Sequence, residues 1–253
     1  LADRYLGMRK AVVFGGILLV LGHIGMALEG EQARVINGEI VRDEIALQFF
    51  YVSLALIIVG VGFLKPNIST IVGQLYSKDD PRRDPGFTIF YMGINIGAFT
   101  ATILCGYLGE TYGWRYGFGA AGIGMVIGLL TFIRGQSLLL GIAEPKDTEM
   151  LKRKTIFSLS TETTIYLFSV AGIAIIWQML QWHAAVGLLL NGLAIIVLLG
   201  LGWFIFFKCE SIERSRMIVL VTLTLSTVVF WALFEQSAAS MTLFADRVMD
   251  HSI

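Results

Sequence analysis

The chain has 253 residues, of which 56% are hydrophobic and only 15% charged, and its mean hydropathy is +0.74. A soluble domain needs about a quarter of its residues charged to wet its surface, so these values describe a polytopic membrane protein with the lipid bilayer as its solvent. Nineteen bases balance nineteen acids at a pI near 7.0, which removes any electrostatic case for nucleic acid as a partner.

The opening turn "LADRYLGMRK" is charged, carries no signal-peptide pattern and does not begin with methionine. Seven apolar runs follow at roughly 11–28, 46–75, 86–109, 115–140, 163–182, 184–207 and 216–245. Each is long enough to cross about 30 Å of hydrocarbon as a helix, and the longer ones imply tilt or projection beyond the bilayer. The first run holds His23, read as a buried histidine bonded to a neighbouring helix rather than as a proton relay. The second contains "FLKPNIST", with Lys65 beside Pro66. The third, "GFTIFYMGINIGAFTATILCGYLGE", places Tyr91 and Asn95 on one helical face, and Gly93, Gly97 and Ala98 would admit a close neighbour. The last contains "FWALFEQSAAS", and the chain stops soon after it at "DHSI", which reads with the opening as a fragment of a longer protein. Cys105 and Cys209 have neither a disulfide framework nor metal-ligand spacing, and His183 and His251 lack a ligand partner, so no metal and no cofactor is expected. No intramembrane nucleophile, base and orienter recur together, so catalysis is not expected either.

Cytoplasmic loops collect Lys and Arg. The turn 1–10, the loop around 77–86, the segment 134–162 and the segment 208–216 together carry fourteen bases, and the alternate loops carry four. Seven crossings therefore start inside and finish outside, and the one base left over is Lys65. Among the acids, Glu235 alone lies within a span. At 1.5 Å per residue, Lys65 lies ~18 Å from the inner loop at Ser77, and Glu235 lies ~16 Å from Asp246, so both sit near mid-depth. A charge there costs roughly 2.5–3.5 kcal/mol or more and normally faces the bundle interior or a watery cavity. Two readings stand open: a structural Lys65–Glu235 pair that pins two helices, or a site on a transport route. Pro66 frees backbone carbonyls that need polar partners, and Asn67, Ser69 and Thr70 can supply them or act as interhelical glue.

These motifs resemble the proton-dependent oligopeptide transporters of the major facilitator superfamily. "LADRYLGMRK" resembles the superfamily's cytoplasmic loop between helices two and three, with one residue more than the commoner form; "GVGFLKPNIST" with "DPRRDPGFTIFYMGINIGAF" resembles the signature region of helices four and five; "FWALFEQ" is similar to the helix-seven motif. The resemblance implies an all-α, polytopic membrane bundle covering part of that fold: residues 1–140 as helices three to six of the first bundle, 141–162 as a cytoplasmic linker, 163–207 as two extra helices between the bundles and 208–253 as helix seven. It implies proton-coupled symport of di- and tripeptides by alternating access, with peptides and protons as partners, in a bacterial cytoplasmic membrane. Carried over position by position, Lys65 would attract the peptide carboxylate and sense nearby acids, Tyr91 would line the cavity, Asn95 would bind peptide groups, Trp231 would wall a side-chain pocket, and Glu235 would couple protons or gate. Asp3 and Arg4 would latch the cytoplasmic face when it is shut, or else form a solvated turn. The family's acidic residues on helices one and ten fall outside this chain. A carrier for nitrate or an amino-acid conjugate is the nearest rival, and a seven-helix retinal photoreceptor with Lys65 as its Schiff base is a distant one.

Overall fold

The computed structural model describes residues 5–28, 30, 34–36, 39–145, 147–154 and 159–236, with 240, 241, 244, 247 and 248 beyond them. Among these, seven helices are long and apolar enough to cross a membrane. They are α1 (Met8–Ala27), α2 (Glu44–Gln74), α3 (Arg83–Tyr112), α4 (Trp114–Arg134), α6 (Thr161–Gln181), α7 (His183–Phe207) and α8 (Ser211–Gln236), with α5 (Thr148–Lys152) a short linker helix. Helix starts are marked by side-chain caps: Asp43 accepts from the Ala46 amide at 3.0 Å, Asp147 from Met150 at 2.9 Å and Ser160 from Thr163 at 3.1 Å. A short antiparallel hairpin, β1 (Arg34–Ile36) and β2 (Glu39–Val41), joins α1 to α2 with Arg34 opposite Val41. The sequence reading had no strand there, although an Asn-Gly dipeptide between two apolar runs is a hairpin signature. The fourth span, Trp114–Leu139, follows the apolar run 115–140, with α4 giving way to a 3-10 helix over Gly135–Leu139.

The chain divides into two compact units, Leu1–His183 and Ala184–Ile253. In the first, α1 and α2 are antiparallel and touch backbone to backbone. A Cβ on Gly15 would lie 2.7 Å from the Gly60 carbonyl and 2.8 Å from the Leu64 amide, and one on Gly22 would lie 2.9 Å from the Ser53 carbonyl. Where lipid supplies no hydrophobic drive between helices, such small-residue seams provide the dispersion contact that holds them together. This seam lies on α1 and α2 rather than around Gly93 and Gly97 of α3, where no described atom comes within 4 Å of a Cβ. Helix α4 packs on α1 through Gly16, whose Cβ would meet Leu129 at 2.8 Å.

Helix α6 is fastened to this unit at both ends. At the cytoplasmic end the Lys10 ammonium donates to both Glu162 oxygens at 2.6 and 2.7 Å, and Phe14 packs between Phe63 and Tyr166 with centroids 5.1 and 4.8 Å away. At the other end the Gln48 amide donates to Gln181 and accepts from the Trp177 indole, both at 3.1 Å. Beside Lys10, the Arg9 guanidinium donates to Glu144 at 3.0 Å and to Gln136 at 2.9 Å, holding the segment after α4 against the start of α1. Gly7 permits this contact. Its φ of 82° is a left-handed conformation, and a Cβ there would meet the Pro145 nitrogen at 2.6 Å.

In the second unit, the Arg214 guanidinium caps the end of α7 by donating to the Ile205, Phe206 and Cys209 carbonyls at 3.2, 3.0 and 3.4 Å.

Candidate transport site

Lys65 sits in the middle of α2, which continues as a helix through Pro66. The ring withdraws one backbone donor, and nearby polar side chains bond the surrounding carbonyls. The Asn67 amide donates to the Phe63 carbonyl at 2.6 Å, the Ser69 hydroxyl to Lys65 and Pro66 at 3.3 and 3.2 Å, and the Thr70 hydroxyl to Pro66 at 2.8 Å. None of these bonds reaches the Gly62 carbonyl, the one whose helical donor Pro66 removes; they are the same back-bonds that Thr100, Thr102 and Thr222 make to their own helices. Lys65 itself is exposed and has no carboxylate partner among the described residues of its unit. Asn67, two residues on, is 6% exposed and faces inward, whereas Lys65 is on the exposed side of α2.

Tyr91 and Asn95 lie one turn apart on α3, and the Asn95 amide donates to the Tyr91 carbonyl at 2.8 Å. That bond uses one amide hydrogen and leaves the other hydrogen and the carbonyl oxygen available. Helix α3 is tethered near its two ends only. At the cytoplasmic end, Gly86 and Gly73 abut Tyr76 and Phe87 across the α2–α3 turn; at the far end, Gly109 abuts Trp114, and a Cβ on Gly117 would lie 2.7 Å from the Cys105 carbonyl. Every residue from Tyr91 to Leu104 is exposed. The aromatic and amide groups thus stand on a bare stretch of a helix fixed at its extremities.

Trp231 and Glu235 belong to α8 in the second unit, four residues apart and on one face. The indole is held edge-on to Phe230 and Phe234, with centroids 5.6 and 5.4 Å away, which restricts its rotation. The Glu235 carboxylate is exposed and makes no hydrogen bond or ion pair among the described residues of its unit. Lys65, Tyr91 and Asn95 belong to one unit and Trp231 and Glu235 to the other, and no described hydrogen bond or ion pair joins Lys65 to Tyr91 or Asn95. Asp3 and Arg4 lie outside the described residues. His23, expected to bond a neighbouring helix, instead donates from Nδ1 to the Leu19 carbonyl of its own helix at 2.7 Å. The ion pairs of Arg9 and Lys10 and the Gln48, Trp177 and Gln181 cluster were not foreseen. The one sequence signal for the ion pairs was a set of opposite charges at helix ends predicted to share the cytoplasmic side; the uncharged cluster at the other end of α6 had none.

In the loop before α3, Arg82 donates to both Asp80 oxygens, from its backbone amide at 2.8 Å and from its guanidinium at 3.1 and 3.0 Å. Those bonds hold the Asp80 carboxyl below its usual range and raise the Arg82 guanidinium.

The sequence profile of the POT family matches residues 9–253. The chain belongs to the POT family. It is 36% identical over 252 residues to the uncharacterized transporter YclF of Bacillus subtilis, covering 98% of this chain and 47% of that protein. It is 34% identical to the di-/tripeptide transporter of Lactococcus lactis subsp. cremoris over 97% of this chain and 47% of the relative, and 34% identical to the peptide transporter YePEPT of Yersinia enterocolitica over 100% and 49%. Among solved structures, a mutant peptide transporter POT in complex with alafosfalin superposes with a TM-score of 0.71 at 33% identity, over all of this chain and 48% of that one. This POT-family chain spans about half the length of the curated relatives it matches. It is an integral, multi-pass, all-α membrane protein with the fold of those transporters.

Proposed function

We propose that this POT-family chain is part of a carrier that moves di- and tripeptides across a bacterial cytoplasmic membrane together with protons, by alternating access. The observation that carries the reading is the exposed Lys65 ammonium of α2, nine residues from the helix end at Gln74, with no carboxylate partner among the described residues of its unit. Such a group holds a standing cost of roughly 2.5–3.5 kcal/mol. A peptide carboxylate relieves that cost with a charge-assisted hydrogen bond. A nearby acid that gains or loses a proton changes it as well, and this links proton to substrate. Tyr91 and Asn95 then serve the peptide's hydroxyl and amide needs from α3, Trp231 walls a side-chain pocket and Glu235 carries or senses the proton. Asp3 and Arg4 form the cytoplasmic latch. In this reading α6 and α7 are the two extra helices between the bundles. Either ligand moves the conformational equilibrium only by its differential affinity for the two states, so Lys65 must meet its partners better in one of them.

Two of the relatives are peptide transporters, which supports a peptide rather than another solute. The test is uptake in proteoliposomes containing the full-length protein under an inward proton gradient. Lys65→Ala should abolish gradient-driven accumulation of a labelled dipeptide while the protein is still produced and inserted. Accumulation at the wild-type level would overturn the role of Lys65. A competition panel in which nitrate displaces the label and dipeptides do not would overturn the substrate class.

A further inference from the structure

Contacts at three depths tie α6 to the rest of the first unit. At the cytoplasmic start the Lys10 ammonium donates to both oxygens of Glu162, and the Tyr166 hydroxyl donates to the same carboxylate at 3.3 Å. One turn further along both helices, Phe14 of α1 meets Tyr166, and Phe63 of α2 packs on the same Phe14 ring. Ile165, between Glu162 and Tyr166 in the chain, is buried with Leu6 and Ala11. At the far end Gln48 of α2 joins Trp177 and Gln181. Glu162 and Gln181 are 19 residues apart, so the outermost contacts stand about 28 Å from each other along α6. A rod held at both ends cannot swing about one without parting the other. It cannot slide either. A shift of one turn, about 5.4 Å, would set the Glu162 carboxylate against Phe14 or carry Tyr166 to Lys10, and would draw the Trp177 indole away from Gln48.

Resting on the alternating-access reading above, we propose that α6 is a permanent brace of the first unit. It keeps its contacts with α1 and α2 in every conformation of the carrier, and the stretch of α2 from Gln48 to Phe63 moves only as one body with α6 and α1. Along that stretch the seam with α1, Gly15 on Gly60 and Gly22 on Ser53, is backbone to backbone, with no side chain that could yield at the closest approach. Lys65 follows two residues after Phe63, so the braced stretch ends where the candidate site begins and the cation is carried on a fixed support. Packed elements of this kind are displaced as units rather than deformed continuously.

The test uses the full-length protein with its own cysteines replaced, reconstituted in proteoliposomes. In Lys10→Cys/Glu162→Cys and in Gln48→Cys/Gln181→Cys, a short reducible cross-linker should join each pair, and the initial rate of dipeptide uptake should equal that of the same variant left unbridged. Failure of either pair to bridge, or uptake lost on bridging and restored by reduction, would overturn the brace. A second arm needs no transport. Nitroxides at the exposed positions Ile175 of α6 and Leu21 of α1, and in a separate variant at Ile175 and Ile58 of α2, should keep one distance distribution each at acid and alkaline pH, with and without dipeptide. A shift of either distance by about one helical turn, 5.4 Å, between any two of those conditions would overturn the brace as well. Absence of uptake by the unbridged protein would defeat the carrier reading instead, and the spin-label distances would then decide the brace alone.

Discussion

The α1–α2 seam makes a quantitative prediction through Gly15→Ala. A methyl on Gly15 would stand 2.7 Å from the Gly60 carbonyl, 2.8 Å from the Leu64 amide and 2.9 Å from the Phe63 Cβ. Ordinary contact begins near 3.4 Å, so two helical backbones must separate by roughly 0.7 Å for the methyl to fit. Neither can yield by a side-chain rotation, and overpacking of this kind costs about 1–3 kcal/mol. Alanine also returns up to about 1 kcal/mol of helix propensity, which partly hides the effect. Gly124→Ala supplies the reference. It lies within α4 with no described atom within 4 Å of its Cβ, so it gains the propensity without the clash. The difference between the two variants isolates the overpacking. Fluorescence-monitored thermal unfolding of the full-length protein in a single detergent should place Gly15→Ala several degrees below Gly124→Ala. Equal midpoints would refute backbone contact between α1 and α2.

The attachment of α6 and the loop before α3 give three more tests. Lys10 and Glu162 are each about a third exposed, so a double-mutant cycle with Lys10→Gln and Glu162→Gln should return a coupling of about 1 kcal/mol in thermal unfolding, diminishing with added salt. Gln48→Leu strands the Trp177 indole hydrogen and the Gln181 carbonyl oxygen and should cost about 1 kcal/mol; Gln48→Glu preserves acceptors for the indole and should cost less. For Asp80, a folded pKa below the ordinary value of 3.8 means that the loop contact stabilises above the ordinary carboxylate range and is lost as pH falls through the lowered folded value. The Asp80 carboxyl resonance should therefore titrate below 3.8, and Arg82→Gln should raise it toward the ordinary value, the backbone amide of residue 82 retaining part of the depression.

Hydropathy located all seven spans because lipid imposes one requirement on every helix, about 20 apolar residues. The limits of the spans follow other physics. The fourth apolar run ends at Leu140, where the backbone turns with positive φ at Leu140 and Gly141, but hydropathy carries no information about the change from α to 3-10 helix after Arg134. The two ionisable residues at depth were legible because a charge in oil needs a reason wherever it occurs. The small-residue seam was legible as a capacity only. Glycine shows that a neighbour can come close without naming the neighbour, so the sequence pointed to Gly93, Gly97 and Ala98 and passed over Gly15 and Gly60, where the close contact lies. Asn67 and Asn95 illustrate the same gap. Both bond back to the carbonyl four residues earlier, yet one is buried and the other bare, and that difference arises from packing between helices distant in sequence.

Whether Lys65 is a binding group or a structural one can be decided by stability and activity measured together. The packing of α2 against α1 runs through Gly60 on another face, so that contact does not need the ammonium. If Lys65 only pinned two helices through a permanent ion pair, removing it would leave an unpaired buried carboxylate and destabilise the protein by about 3–5 kcal/mol. If instead the cation is kept bare for a ligand, Lys65→Leu removes a standing cost and should stabilise the ligand-free protein, by at most the roughly 2.5–3.5 kcal/mol of burying that charge. The same variant should lose peptide uptake, and added dipeptide should no longer raise its unfolding midpoint although it raises that of the wild type. A Lys65→Leu protein that melts several degrees below wild type would establish the structural role and defeat the transport reading of this residue.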